Sequence, residues 1–106
     1  MIQADFYRNS EGRLLGFEVS GHAGLAEEGQ DVCCASVSSA VMLAANTITD
    51  AFKIDAKVNV EENDIMLKLG SDPKNEGDKV LLGLLTHLYL MQDEFPGYVM
   101  VRVHDR

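Results

Sequence analysis

VCCASVSSAVMLAANTITDAF, residues 32 to 52, decides how this chain is organised. Val37, Val41, Ala44, Ile48 and Phe52 recur at intervals of three or four, the spacing that lines up one face of an α-helix. The spacing predicts a helix from residue 32 to about 52 or 53. On either side of it the period drops to two.

Before the helix, Ile2, Ala4 and Phe6 alternate with polar neighbours, and Leu15, Phe17 and Val19 do the same. Asn9-Ser10-Glu11-Gly12 between them carries turn chemistry, so the two runs read as a hairpin. After the helix, Val58 and Val60, then Ile65, Leu67 and Leu69, predict a second hairpin across residues 61 to 64. Leu81, Leu84, Leu85 and Leu88 mark a second helix, capped by Asp72 or Asn75 and ended by Pro96-Gly97. Val99, Val101 and Val103 make a final strand. The expected fold is a single α/β domain (α+β type) over residues 1–106, ordered ββαββαβ. Its mixed sheet has about five strands and carries two helices.

A chain of 106 residues, 46% hydrophobic and 25% charged, has the composition of an ordinary globular domain. It buries roughly 60–70% of its unfolded surface and needs no disulfide or metal staple. No apolar run reaches the roughly 20 residues of a membrane span. Asp5 and the missing basic region argue against a secretory signal at residues 1–10, so a cytoplasmic protein is expected. The net charge of −8 disfavours nucleic acid and favours a basic partner, or simply confers solubility. Two cysteines cannot complete a zinc site, and His22, His87 and His104 show no ligand spacing. No metal or other cofactor is expected. His87 among its leucines reads as a packed histidine, His104 as a solvated one, and Gly83 as a point of close approach to another element or subunit.

The chemistry gathers just ahead of the first helix, in GHAGLAEEGQDVCCASVS, residues 21 to 38. Asp31 stands where an N-cap belongs, which would put Cys33 and Cys34 in the first turn. There, unpaired N–H groups and the helix dipole favour a thiolate and could stabilise an oxyanion. His22 ends the second strand, across a glycine-containing loop, where it could act as a base toward a thiol. Local chemistry alone leaves two readings: a Cys–His nucleophilic site, or a small buried cysteine beside a turn histidine. Cys33, four before Val37, is expected to pack inward. Cys34 shares its face with Ser38, which either faces the site or bonds back to the carbonyl of residue 34.

Gly21-His22, the loop, and the block DVCCASVS from Asp31 to Ser38 resemble the ribosomal-processing cysteine protease family, Prp. The family pattern is Gly-His, a short glycine-containing loop, then Asp, two residues, Cys-Ala, two residues and Ser. The resemblance extends less sharply over nearly the whole chain. It implies a cysteine endopeptidase that removes a short N-terminal extension from a large-subunit ribosomal protein, with Cys34 as nucleophile and His22 as base. Asp31, Ser38 and Gly21 occupy supporting motif positions. It also implies a homodimer, with a loop at residues 23–30 that orders over bound peptide. One departure is Cys33, where the family more often has an aliphatic residue.

In that loop, Gly24 and Gly29 would permit opening and closing. Glu27 and Glu28 would meet basic sequence near a ribosomal protein's terminus. Two other classes compete: a non-catalytic module holding a ribosomal peptide or assembly partner, and a redox sensor using both thiols. The absence of CxxC spacing weighs against the second.

Overall fold

The computed structural model describes residues 1–21 and 28–106, and for residues 28–31 the backbone alone. Five strands and two long helices follow in the expected order. They are β1 (Ile2–Arg8), β2 (Leu14–Ser20), α1 (Glu28–Asn46), β3 (Ala56–Glu61), β4 (Asp64–Leu69), α2 (Glu76–Glu94) and β5 (Val99–Asp105). One π-helical turn, Thr47–Ala51, continues α1, and Lys53 then turns the chain with φ 56°. The helical stretch therefore ends where the apolar spacing placed it. Its start is four residues earlier than expected.

The sheet order is β3-β4-β2-β1-β5. All neighbours are antiparallel except β1 and β5, which run parallel and make the sheet mixed. Alternation assigns the faces. Ile2, Ala4 and Phe6 of β1, Phe17 and Val19 of β2, Leu67 of β4, and Val99 and Val101 of β5 share one core. Cys33, Val37, Val41, Ala44 and Ile48 from the α1 stretch and Leu81, Leu84 and Leu88 from α2 complete it. Phe52, expected on the stripe, lies past the helix end and is exposed. The stretch Val32–Ala51 is as long and apolar as a membrane-crossing helix, contrary to the expectation from run length. Its larger apolar side chains on one face, Val37, Val41 and Ile48, are buried against the sheet.

The first hairpin departs from strict alternation. A bulge at Tyr7/Arg8 shifts the register, so Leu14 enters the core while Leu15 is only half-buried. Asn9 Oδ1 accepts the amides of Glu11 and Arg13 at 2.9 and 3.0 Å and fixes the turn. At the start of α2, Asn75 occupies the capping position in a left-handed conformation but makes no side-chain cap bond. Asp72 caps instead, accepting the amides of Gly77 and Asp78 at 3.1 Å each.

Candidate active site

Cys34, Ser38 and Gly21 meet at one cavity of about 230 Å³. Its roof is α1, where Cys34, Val37, Ser38 and Val41 span two turns. Its floor is one end of the sheet, with Ile2, Val19, Ile65 and Val60, and its rim is the β3–β4 turn. The floor follows a single rung of paired residues, Ala4–Val19–Ile65–Val60. Exposure rises along that rung from 0% at Ala4 through 7% at Val19 to 56% at Val60. The cavity is closed at the β1 side and opens over β3.

Gly21 holds the rim. Its φ of +90° is open to glycine, and a Cβ there would collide with the Met1 carbonyl oxygen. Its amide donates to the Asn63 carbonyl at 2.9 Å, tying the exit of β2 to the β3–β4 turn. Asn63 itself is left-handed, with φ 67°. The chain is thus fixed in position one residue before His22.

The two thiols divide as their spacing suggested. Cys33 is fully buried among core side chains. Burial, and secondarily the neighbouring Cys34, pushes its thiol pKa up, which suits a small hydrophobe and not a nucleophile. Cys34 is half-buried and lines the cavity, with exposed Ser38 one turn on. Of the two readings of Ser38, it faces the site.

One expectation fails. The helix starts at Glu28, so Asp31 is its fourth residue and not its N-cap. Cys34 is the seventh, a turn away from the unpaired N–H groups at the helix start. Its amide falls within the i→i−4 ladder and is no candidate oxyanion donor. His22, Gly24 and Glu27 lie outside the described residues. So do the side chains of Glu28 and Asp31, while Gly29 is backbone within α1.

Sequence reading missed Val60, Glu61, Asn63, Asp64 and Ile65 as site residues. The acidic stretch Glu61-Glu62-Asn63-Asp64 was visible as a turn, but its place beside Cys34 depends on β4 pairing with β2. Beneath this rim, Asp64 Oδ1 is buried and has no hydrogen-bond partner among the described residues. Its charge is the main cause that raises the pKa of Glu18 on the neighbouring strand; desolvation, hydrogen bonding with Asp64 and the charge of Asp5 add to it.

The other two histidines sit elsewhere: His87 is not packed as expected, while His104 is exposed as expected but has partners. His87 is exposed and lines a groove between α1 and α2, where Gly83 also lies. A Cβ on Gly83 would meet nothing within 4 Å among the described residues, so no close packing with them explains that glycine. His104 is engaged: its Nε2 lies 2.8 Å from Asp5 Oδ1, and its ring stacks on Tyr7 with centroids 5.5 Å apart.

A half-buried cysteine with a hydroxyl one turn on, facing a cavity at the open end of a mixed sheet, defines a thiol-bearing pocket on a two-layer α/β domain. The family model for "Cysteine protease Prp" matches residues 1–100. The chain belongs to the Prp family of cysteine proteases. It is 46% identical over 48 residues to the ribosomal processing cysteine protease Prp of Bacillus subtilis (strain 168), covering 45% of this chain and 43% of that relative. That aligned stretch spans less than half the relative's length. The crystal structure of the Prp ribosomal processing protease from S. aureus, with a covalently linked product peptide, superposes with a TM-score of 0.88. The two share 22% identity over 98% of this chain and 100% of that one. A Streptococcus mutans protein superposes with a TM-score of 0.80 at 25% identity, covering 100% and 96%.

Proposed function

We propose that this chain is an endopeptidase that removes a short N-terminal extension from a large-subunit ribosomal protein, using Cys34 as nucleophile and His22 as base. The observation that carries this reading is the cavity where Cys34 and Ser38 face Gly21, the residue that precedes His22. Family membership supports it, as do relatives described as ribosomal processing proteases.

His22 takes the Cys34 proton, and the sulfur attacks the scissile carbonyl carbon. The Ser38 hydroxyl, on the same helix face, donates to the oxyanion in place of the laddered amide. Collapse of the tetrahedral intermediate breaks the C–N bond, and the imidazolium returns its proton to the leaving amine. Water activated by His22 then hydrolyses the Cys34 thioester and frees the thiol. Asp31 orients His22, and the segment between His22 and α1 covers the bound peptide, with Glu27 and Glu28 toward its basic residues; Glu28 to Gln30, expected in that loop, belong to α1. No cofactor enters this chemistry.

The test is intact-mass analysis of a peptide spanning the extended ribosomal N-terminus, incubated with wild type, Cys34→Ala, Cys33→Ala and His22→Ala. Cleavage at one bond by wild type and Cys33→Ala, lost in the other two, is the expected result. Stoichiometric binding without cleavage by any variant would replace the protease with a peptide-holding module.

The active form is a cytoplasmic homodimer. Supporting it is a groove of about 730 Å³ between α1 and α2, lined by Ala40, Leu43 and Gly83 among others. Leu43 is 69% exposed there, and small residues let a second backbone approach. Leu43→Asp should yield monomers by sedimentation; an unchanged mass would move the interface elsewhere.

A further inference from the structure

β3 is an edge strand whose only strand partner among the described residues is β4. Its ladder parity is fixed by two facts. The Gly70 amide donates to the Asp55 carbonyl at 2.8 Å, and Asp55 and Gly70 continue the register Lys57↔Lys68, Asn59↔Met66, Glu61↔Asp64. Those odd positions exchange hydrogen bonds with β4. The backbone N–H and C=O groups of Ala56, Val58 and Val60 therefore point outward, away from the sheet.

The same three residues turn their side chains to the face that α1 covers, because Val58 opposes Leu67 and Val60 opposes Ile65. Val58 and Val60 are 38% and 56% exposed, beyond the reach of the helices. Val60 lines the Cys34 cavity with its side chain while its amide and carbonyl face the open edge. The edge and the cavity are thus one continuous surface. It runs about 13 Å from Ala56 to Val60 at strand rise and ends at an acidic turn, Glu61-Glu62-Asn63-Asp64, suited to a basic chain.

Building on the protease reading, we propose that the substrate binds as an added strand on the outer edge of β3. Its backbone pairs with the amides and carbonyls of Val58 and Val60, and this pairing delivers the scissile bond to Cys34. The occupant is an extended, basic peptide segment flanking the cleavage site. Recognition is then largely by main chain, with alternate substrate side chains turned to the exposed valines and the cavity.

The deciding experiment is an N-methyl scan of the cleaved peptide, in which each backbone amide is methylated singly and KM is measured with wild-type enzyme. Strand addition uses every second amide, so KM should rise about tenfold at alternate positions, the effect of one lost hydrogen bond, and stay near the parent value between them. Val58→Pro removes one outward donor and no ladder bond, since proline is tolerated at such edge positions. It should raise KM by a similar factor, with a melting curve reporting that the variant folds. A flat N-methyl profile together with an unchanged KM in folded Val58→Pro overturns the edge pairing alone. Failure of wild type to cleave the parent peptide strikes the protease reading, and the pairing falls with it.

Discussion

The two edges of the sheet are finished in opposite ways. Along β5 charge occupies both faces. Arg8 pairs with Asp105 at 2.9 Å, Arg102 and His104 both reach Asp5, and the Arg106 guanidinium lies 4.2 Å over the Tyr7 ring. Such decoration blunts an edge against further pairing. Among the described residues β3 has no comparable guard on its helix-side face: its apolar valines are exposed there, and its one cation, Lys57, alternates to the other face. A strand edge left open in a stable domain is an aggregation liability. It is retained on the side where the Cys34 cavity opens, which ties the liability to the site.

This contrast can be broken or sharpened by substitutions on either side. The largest effect is expected at Cys34, where replacement by Ser should lower kcat/KM at least about a thousandfold, measured on the ribosomal N-terminal peptide. Retained turnover would move the chemistry away from the β3 side altogether. Gly21→Ala forces a side chain into a left-handed position against the Met1 carbonyl. A loss of about 2–3 kcal/mol should appear as a lower urea midpoint, and wild-type stability would show that the rim can yield.

Smaller effects follow. Val60→Lys puts a cation in the cavity mouth and should raise KM about tenfold for a basic peptide, with thermal stability nearly unchanged because Val60 is exposed. Asp5→Asn removes the Arg102 ion pair and weakens the His104 contact at the opposite edge, leaving Arg8–Asp105 in place. The loss expected is about 0.5–1 kcal/mol, with kcat/KM within about twofold of wild type. A kinetic defect there would join the two edges functionally.

The smallest effect concerns Glu18, whose pKa is raised above its ordinary value of 4.5 chiefly by Asp64. The folded chain holds that proton more tightly than the unfolded one. Stability is therefore lost as pH rises through the window that begins near the ordinary value. Glu18→Gln should raise the thermal midpoint at neutral pH by on the order of 1–2 °C, and the gain should vanish on acidification below that window. A pH-independent gain would remove the Asp64 repulsion as its cause.

Much of this molecule was legible in the sequence because period and turn chemistry are local. Val37, Val41 and Ile48 announced the buried face of α1, and the same periodicity separated inward Cys33 from Cys34. What escaped was set by distant partners. The α1 start escaped because Asp31 is a good capping residue in a stretch whose glycines suggested a loop; the helix nevertheless begins at Glu28. The bulge that exchanges Leu14 for Leu15 arises from cross-strand register and not from either residue. The acidic rim at Glu61 and Asp64 became part of the site only through the pairing of β4 with β2. His104 is solvated as expected, but its contact with Asp5, 99 positions away, escaped because nothing in its own neighbourhood points there.

The parallel pairing of β1 with β5 has a kinetic consequence. Ile2, which forms part of the cavity floor, is held by a bond from its amide to the Tyr98 carbonyl and lies opposite Val99. Both hairpins can form from neighbouring segments, but this closure must bring together residues nearly the whole chain apart and belongs to the slow part of folding. The cavity beside Cys34 is thus complete only when β5 docks. A partly folded chain carries the Cys34 thiol without a finished cleft beside it.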